Sequence, residues 1–238
     1  MMEQEHALLA RILDLFARRF DKSAVLRGGM VLRLLGSSRY TNDLDYVFVP
    51  YRSKNEIVKD VLDCLRQIED AQLKHSLHSK CLRVVIVTPE ATVQVEAKVA
   101  REIATLPVTT RLFSKQFDLP PRLINVVALP VALAEKMAAW NERRLIKDLY
   151  DIWFYIQMNV RPDPETLRSR LANPQVSMLV KKRDHFPGDT IGDFYDFLRE
   201  KCSGLTDTEI EEALSTTLPQ DEIEGLSLLF CAAFARLR

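Results

Sequence analysis

The chain has 238 residues, and its 33 Lys and Arg residues balance its 33 Asp and Glu residues, so the formal net charge is zero. Hydrophobic residues make up 47% of the chain and charged residues 28%, values that exclude a disordered or fibrous protein. A neutral chain does not bind nucleic acid by bulk electrostatics, although a local basic patch is compatible with this composition. At roughly 150 residues per domain, the length predicts one large domain or two small ones.

The four cysteines are widely spaced and contain no Cys-x-x-Cys pair, which favours buried free thiols in a reducing compartment over a zinc site or a disulfide framework. Residues 1–6 are acidic and lack the pattern of a secretory signal. The longest near-continuous apolar run, 226–235, is about half of the ~20 residues needed to cross a bilayer. We therefore expect a cytoplasmic protein without membrane contact.

The first half of the chain alternates helical and extended patterns, and the proline-marked segment 105–123 is expected to be irregular. The elements predicted from apolar spacing and turn residues are a helix over 3–20, an extended segment at 25–26, a brief helix over 30–35, a strand over 44–49, a helix from 53 or 55 to 68, and strands over 82–88 and 92–99.

The second half is helical from about residue 129 onwards. The sequence thus predicts an α+β protein, with a mixed β-sheet core flanked by helices over 1–125 and a helical domain over 126–238. The helices predicted here cover 130–141, 145–158, 164–172, 174–183, 189–201, 206–215 and 219–237.

The sharpest local feature is Asp43-Leu44-Asp45 on the predicted strand. Side chains alternate along a strand, so both carboxylates point to one face, where a Mg²⁺ ion would relieve their repulsion. A solvated strand end is the alternative interpretation. Glu96, on another predicted strand, is either a third metal-binding carboxylate or an exposed acid.

Gly28 and Gly29 lie between a strand and a helix, where glycines let backbone amides approach an anion. A tight turn that needs a positive φ is the alternative. In the second half, Asp148 and Asp151 lie in a strongly apolar helix, which indicates a salt-bridge network with Lys136 or Arg143 that ties two helices together.

The order of these motifs along the chain indicates a protein family. The series LRGGMVLRLL, RYTNDLDY, AEKMAA and KDLYDIW resembles the AbiEii/AbiGii nucleotidyltransferase family, over about 25–155. The resemblance implies a polymerase-β-like nucleotidyltransferase core, and many members of this family are toxins of type IV toxin–antitoxin systems. It further implies a phosphate-facing turn at Gly28 and Gly29, a metal-binding pair at Asp43 and Asp45, a nucleotide-contacting Lys136, and the acids of the last motif at Asp148 and Asp151.

Two residues depart from the family pattern. Met30 stands where members usually have Ser or Thr to hold the triphosphate, and Lys147 stands where they usually have Arg. Lys147 keeps the charge and loses bidentate geometry. Met30 motivates the alternative of a weakly active or inactive nucleotide-binding regulatory protein on the same fold; a structural or interaction module is a third possibility.

The main hypothesis is nucleotidyl transfer from an NTP to an acceptor hydroxyl. Two Mg²⁺ ions would be held by Asp43, Asp45 and Glu96, and Lys136 with Arg143 would offset the charge of the triphosphate. The acceptor would be RNA such as tRNA, or a protein, and a cognate antitoxin would be the partner. Candidate basic patches for RNA are 18–19, 143–144 and 181–183.

Overall fold

A computed structural model describes residues 2–79, 81–175, 185, 186, 188 and 190–238. The chain divides into two compact units, 1–128 and 129–238, a boundary three residues later than the one predicted. In the part of the chain that the structure describes, no helix is both long and apolar enough to cross a bilayer.

The described residues of unit 1 form a seven-stranded mixed sheet. Its strand order is β3-β4-β5-β2-β1-β7-β6, in which β2 pairs with β5 and β1 with β7 in parallel, while the other pairs are antiparallel. The strands are β1 (Ala24–Arg27), β2 (Asp43–Phe48), β3 (Gln72–Leu77), β4 (Leu82–Val87), β5 (Thr92–Val99), β6 (Thr105–Thr109) and β7 (Leu123–Val127).

One face of the central strand β2 is covered by the first helix. The Phe16 ring lies 4.9 Å from the Tyr46 ring and 6.2 Å from the Phe48 ring. Because side chains alternate along a strand, burying these aromatic residues directs Asp43 and Asp45 to the opposite face. The helices of unit 1 are α1 (Met2–Phe20), α2 (Gly29–Leu34), α3 (Asn55–Leu65) and α4 (Arg111–Ser114).

Unit 2 is helical in its described residues, and its core includes Trp140, Tyr150, Phe194 and Phe230. The first two of its helices pack together and hold the buried acids of the predicted salt-bridge network. Its helices are α5 (Leu129–Arg143), α6 (Ile146–Gln157), α7 (Pro164–Ala172), α8 (Ile191–Ser203), α9 (Asp207–Leu214), α10 (Gln220–Ile223) and α11 (Leu226–Phe234).

The α+β prediction is confirmed, with corrections of detail. The single helix predicted over 219–237 is wrong, because Gly225, at φ 76°, separates α10 from α11. The irregular segment predicted over 105–123 is also wrong, since it contains β6 and α4. Neither β3 nor β7 is predicted from the sequence. The helix predicted over 174–183 lies almost entirely outside the described residues.

The prediction of buried free thiols is confirmed for Cys64, Cys81 and Cys202, whereas Cys231 is partly exposed. Burial raises the pKa of Cys64 to about 11, so this thiol stays protonated and behaves as a small apolar side chain of the core.

Candidate active site

The two acids of strand β2 lie between the neighbouring strands β1 and β5. Asp45 is opposite Arg27 of β1 on one side and opposite Glu96 of β5 on the other. Asp43 lies two residues earlier on the same face, opposite Gln94. The sheet register thus places Asp43, Asp45 and Glu96 on one face of the sheet, although Glu96 is about 50 positions from the two acids of β2.

The first glycine of the pair touches the second acid. Gly28 has φ 76°, in the left-handed region that favours glycine, and a Cβ atom built on it would overlap Asp45 Oδ2 and lie 3.2 Å from Asp45 Cγ. A side chain at this position is therefore excluded both by strain and by space. The turn between β1 and α2 and the carboxylate of Asp45 form one contiguous surface.

The second glycine faces an arginine and a threonine. A Cβ atom on Gly29 would lie 2.6 Å from Arg39 Nη2 and 3.3 Å from Thr41 Oγ1. Arg39 is 93% buried, with 7% of its surface exposed, which is unusual for an arginine in a loop. Arg39 and Thr41 belong to the motif RYTNDLDY, but the motif assigned no role to either residue, because a loop has no periodicity from which side-chain directions follow.

The loop that carries these two residues, 35–42, is anchored along its length. The Ser37 backbone N–H donates to the Leu32 carbonyl at 2.9 Å, and the Tyr40 hydroxyl donates to Glu5 of α1. Burial, together with the bond to Glu5, raises the pKa of Tyr40, so its hydroxyl remains a donor. The His6 ring lies 5.0 Å from the Tyr40 ring and adds packing to this anchor.

Glu96 is held by its own neighbours. Its Oε1 accepts from Arg83 Nε at 3.0 Å and Nη2 at 2.8 Å, and from Gln94 Nε2 at 3.0 Å. The Cys81 thiol lies 3.8 Å from Oε2, and burial followed by the charge of Glu96 raises the pKa of that thiol. Within the described parts of the chain, Glu96 Oε1 therefore accepts three N–H hydrogen bonds, while Oε2 has only the weak thiol contact.

Metal-ligating side chains in the described residues form no cluster of three or more His, Cys, Asp and Glu groups. Asp43 and Asp45 nevertheless offer the carboxylate oxygens that Mg²⁺ prefers, and Mg²⁺ commonly needs only one or two carboxylates beside substrate phosphates. The close approach of Gly28 to Asp45 leaves the backbone no room for another side chain beside these oxygens. The two acids thus fit a hydrated Mg²⁺ ion shared with a phosphate.

Met30 does not face this surface. Its side chain is fully buried in the core of unit 1. The residue on which the alternative of an inactive regulatory protein depends therefore leaves the surface around Gly28 and Gly29 unobstructed. It also supplies no hydroxyl there.

In unit 2, Lys136 lies within an ionic network between α5 and α6, which confirms the predicted salt bridges. Lys136 Nζ is 2.5 Å from Asp151 Oδ2 and 3.7 Å from Asp148 Oδ1. The guanidinium of Arg143 binds both oxygens of Asp148 through two hydrogen bonds of 2.6 Å. Both carboxylates are completely buried, and they are balanced by two cations that remain partly exposed, Lys136 at 16% and Arg143 at 43%.

The proposed basic patches are largely occupied by intramolecular contacts. Arg18 pairs with Asp14 at 3.0 Å, and Arg19 pairs with Asp60 at 2.7 Å. Arg144 lies over the Trp140 ring at 4.2 Å from its centroid. The third patch, 181–183, lies outside the described residues.

A cavity of about 810 Å³ in unit 2 is lined by residues of α6, α7, α8 and the C-terminal segment, among them Tyr195, Arg161 and Arg236. Among the described residues, none of the predicted site residues and no carboxylate side chain lines this cavity. It lacks the acids that metal-assisted phosphoryl chemistry requires.

Comparison with known families identifies the family of the chain. The profile of the AbiEii nucleotidyl transferase toxins of type IV toxin–antitoxin systems matches residues 9–225. The chain belongs to this family. It is accordingly a nucleotidyltransferase, and the family name states the toxin role.

Solved structures show the same fold at low identity. MenT4, a nucleotidyltransferase toxin from Mycobacterium tuberculosis H37Rv, is 15% identical with a TM-score of 0.62, over 99% of this chain and 84% of that one. JHP933 from Helicobacter pylori is 14% identical with a TM-score of 0.57, over 98% of this chain and 90% of the other. No similar sequence is found among curated proteins. The predicted nucleotidyltransferase-like fold is confirmed by these similarities.

Proposed function

We propose that this AbiEii-family enzyme transfers a nucleotide from an NTP to an acceptor hydroxyl at the surface formed by the glycine turn and the acids of β2. The observation that carries the proposal is the contact between Gly28 and Asp45. It supports the proposal that the phosphate-facing turn and the metal-binding pair belong to one site within unit 1. A solvated strand end would not require a glycine packed against its carboxylate.

In this proposal Asp43 and Asp45 hold Mg²⁺, and Glu96 contributes through Oε2, since its Oε1 is occupied by Arg83 and Gln94. Bound Mg²⁺ neutralises phosphate charge and favours ionisation of the acceptor hydroxyl. The acceptor oxygen bonds to the α-phosphorus, pyrophosphate leaves with the electrons of the broken P–O bond, and the hydroxyl proton is lost to solvent. Gly28 and Gly29 keep the backbone close to the phosphates.

For unit 2, the family resemblance assigns Lys136 to the nucleotide and Asp148 to the last motif, with Arg143 as a further cation. We propose that Asp148 and Asp151 fix the position of the Lys136 ammonium. The 2.5 Å and 3.7 Å separations support this role, because they restrict a side chain that is otherwise flexible.

The acceptor and the partner are proposed from the family alone. We propose RNA, such as tRNA, or a protein as the acceptor, and a cognate antitoxin as the partner. Because Arg18 and Arg19 are paired with acids, RNA binding would depend on cations outside that patch. Binding to RNA should then weaken steeply as salt is added.

The decisive experiment incubates the protein with each labelled NTP, Mg²⁺ and total RNA, and follows label on RNA and on the protein. Asp43→Asn should abolish transfer and leave the fold intact, since Asp43 is exposed on the strand. Asp63→Asn is the matched control, because Asp63 is an exposed acid of α3 that pairs with Arg66 on the helix surface. Full activity of Asp43→Asn would refute the assignment of the metal site.

A further inference from the structure

Met30 leaves the triphosphate without the hydroxyl that the family pattern places after the glycine pair, because its side chain lies in the core. The structure provides other polar groups at the same turn. Arg39 Nη2 and Thr41 Oγ1 are the atoms nearest to the side-chain position of Gly29, at 2.6 Å and 3.3 Å from an ideal Cβ. Both lie on the loop 35–42, away from the position where the hydroxyl is expected in the sequence.

The chemistry of these two groups suits a phosphate. A guanidinium stays protonated and presents N–H donors in a planar fork that matches two phosphate oxygens. A threonine hydroxyl can donate a further hydrogen bond. Both groups adjoin Gly29, which has no side chain to keep a phosphate away from its backbone. A polyphosphate that lies along the turn would therefore meet backbone N–H donors and side-chain donors together.

The loop is also built to hold the two groups in place. Arg39 N–H donates to Ser37 Oγ at 3.2 Å, and Arg39 Nη1 approaches the Tyr40 carbonyl at 3.4 Å. The bond from Tyr40 to Glu5 ties the same loop to α1. Arg39 is 7% exposed, so its guanidinium is held inside the loop beside Gly29 instead of extending into solvent.

We propose that Arg39 and Thr41 bind the triphosphate of the substrate at Gly29 and replace the hydroxyl that Met30 lacks. This inference rests on the proposed function, and it assigns substrate binding to two residues of the motif RYTNDLDY other than its two acids. Arg39 carries the larger share of the binding, because its contact with phosphate is charged on both sides.

The inference is tested by titrating inorganic tripolyphosphate and Mg²⁺ into the protein in a calorimeter. Tripolyphosphate carries no nucleobase, so the titration measures binding of the phosphates alone. Arg39→Lys keeps the charge and loses the fork, and it should weaken binding by about ten-fold or more. Thr41→Val should weaken binding by about three- to ten-fold. Arg101→Lys, an exposed arginine just beyond the opposite end of β5, should bind as the wild type does.

A second titration, with nucleosides in place of tripolyphosphate, separates phosphate binding from general loosening of the loop. The variants should retain wild-type affinity for nucleosides, and circular dichroism should show a wild-type fold. Equal losses for tripolyphosphate and nucleoside, or no loss for tripolyphosphate in folded Arg39→Lys, would overturn the inference. If Arg39→Lys does not fold, Thr41→Val decides by the same criterion.

The two proposals fail differently. A wild-type protein that binds neither tripolyphosphate nor any NTP would contradict the proposed function and the inference together. A wild-type protein that binds NTP and transfers label, with Arg39→Lys and Thr41→Val binding tripolyphosphate normally, would contradict only the inference.

Discussion

Replacing Asp151 by Asn should destabilise unit 2 by about 2–4 kcal/mol, because it leaves the Lys136 ammonium without its nearest counter-charge. The ionic network of Lys136, Arg143, Asp148 and Asp151 carries no net charge in the native protein. Asp151→Asn gives the network one excess positive charge, and Lys136→Met gives it one excess negative charge. The double variant restores neutrality.

The magnitude follows from the separations and the burial. At an effective dielectric constant of about 20, unit charges 2.5 Å apart attract by roughly 6–7 kcal/mol before desolvation is subtracted. Removing one partner of a buried pair costs about 3–5 kcal/mol. The lower range is expected here because Lys136 is 16% exposed and retains Asp148 at 3.7 Å. The double variant should be about 2 kcal/mol more stable than the sum of the single effects predicts.

Urea denaturation followed by tryptophan fluorescence measures these values in the relevant unit. The two tryptophans of the chain, Trp140 and Trp153, lie on α5 and α6, the helices that the network joins. Asp196→Asn is the control, since it removes an exposed surface pair with Arg199 and should change stability by less than about 1 kcal/mol.

Additive effects of Lys136→Met and Asp151→Asn would refute the electrostatic reasoning, because the two charges would then stabilise unit 2 independently. The same double variant also separates structure from catalysis. A stable double variant that has lost nucleotide transfer supports the assignment of Lys136 to the nucleotide, whereas normal transfer would contradict it.

Gly28→Ala should lose Mn²⁺ binding in an electron paramagnetic resonance titration, because its Cβ would displace Asp45. Gly36→Ala is the control and should retain Mn²⁺ binding, since Gly36 also has a positive φ but no atom of the described residues beyond its chain neighbours lies within 4 Å of its Cβ position. Equal binding by both variants would contradict the packing argument. Burial lowers the pKa of His6 below its ordinary value of about 6.5, so the folded protein binds fewer protons there than the unfolded chain. Its contribution to stability is complete above pH 6.5 and decreases below it, and His6→Phe should show a shallower loss of stability in urea denaturation between pH 7 and 5. Thr206→Ala removes the capping box of α9 and should cost about 1 kcal/mol of unfolding free energy; an unchanged urea midpoint would contradict this.

Elements with strong local patterns are predictable because their periodicity reports burial directly. Helix α1 has apolar residues at helical spacing, and strand β2 alternates Leu44 and Tyr46 with the two acids, so both follow from the sequence. The edge strands β3 and β6 do not follow from the sequence in this way. The β3 strand is mostly exposed, and β6 contains Pro107, which is tolerated because an edge strand leaves some N–H groups unpaired.

The candidate site likewise contains features that the sequence predicts and features that it does not. The acids of β2, Gly28 and Gly29 are recognisable because each has a residue type and spacing tied to a chemical need. The contact of Gly28 with Asp45 and the direction of Glu96 towards Arg83 depend on strand register, which links residues 17 and 13 positions apart in the chain.

The α+β class, the family and the pair of acids are readable from the amino-acid sequence, because apolar periodicity and short motifs are local properties of a chain. The burial of Met30 and the position of Arg39 and Thr41 against Gly29 follow from the folded structure alone. A loop side chain has no regular direction of its own, so its position is fixed by the contacts of Ser37 and Tyr40 with the elements around it.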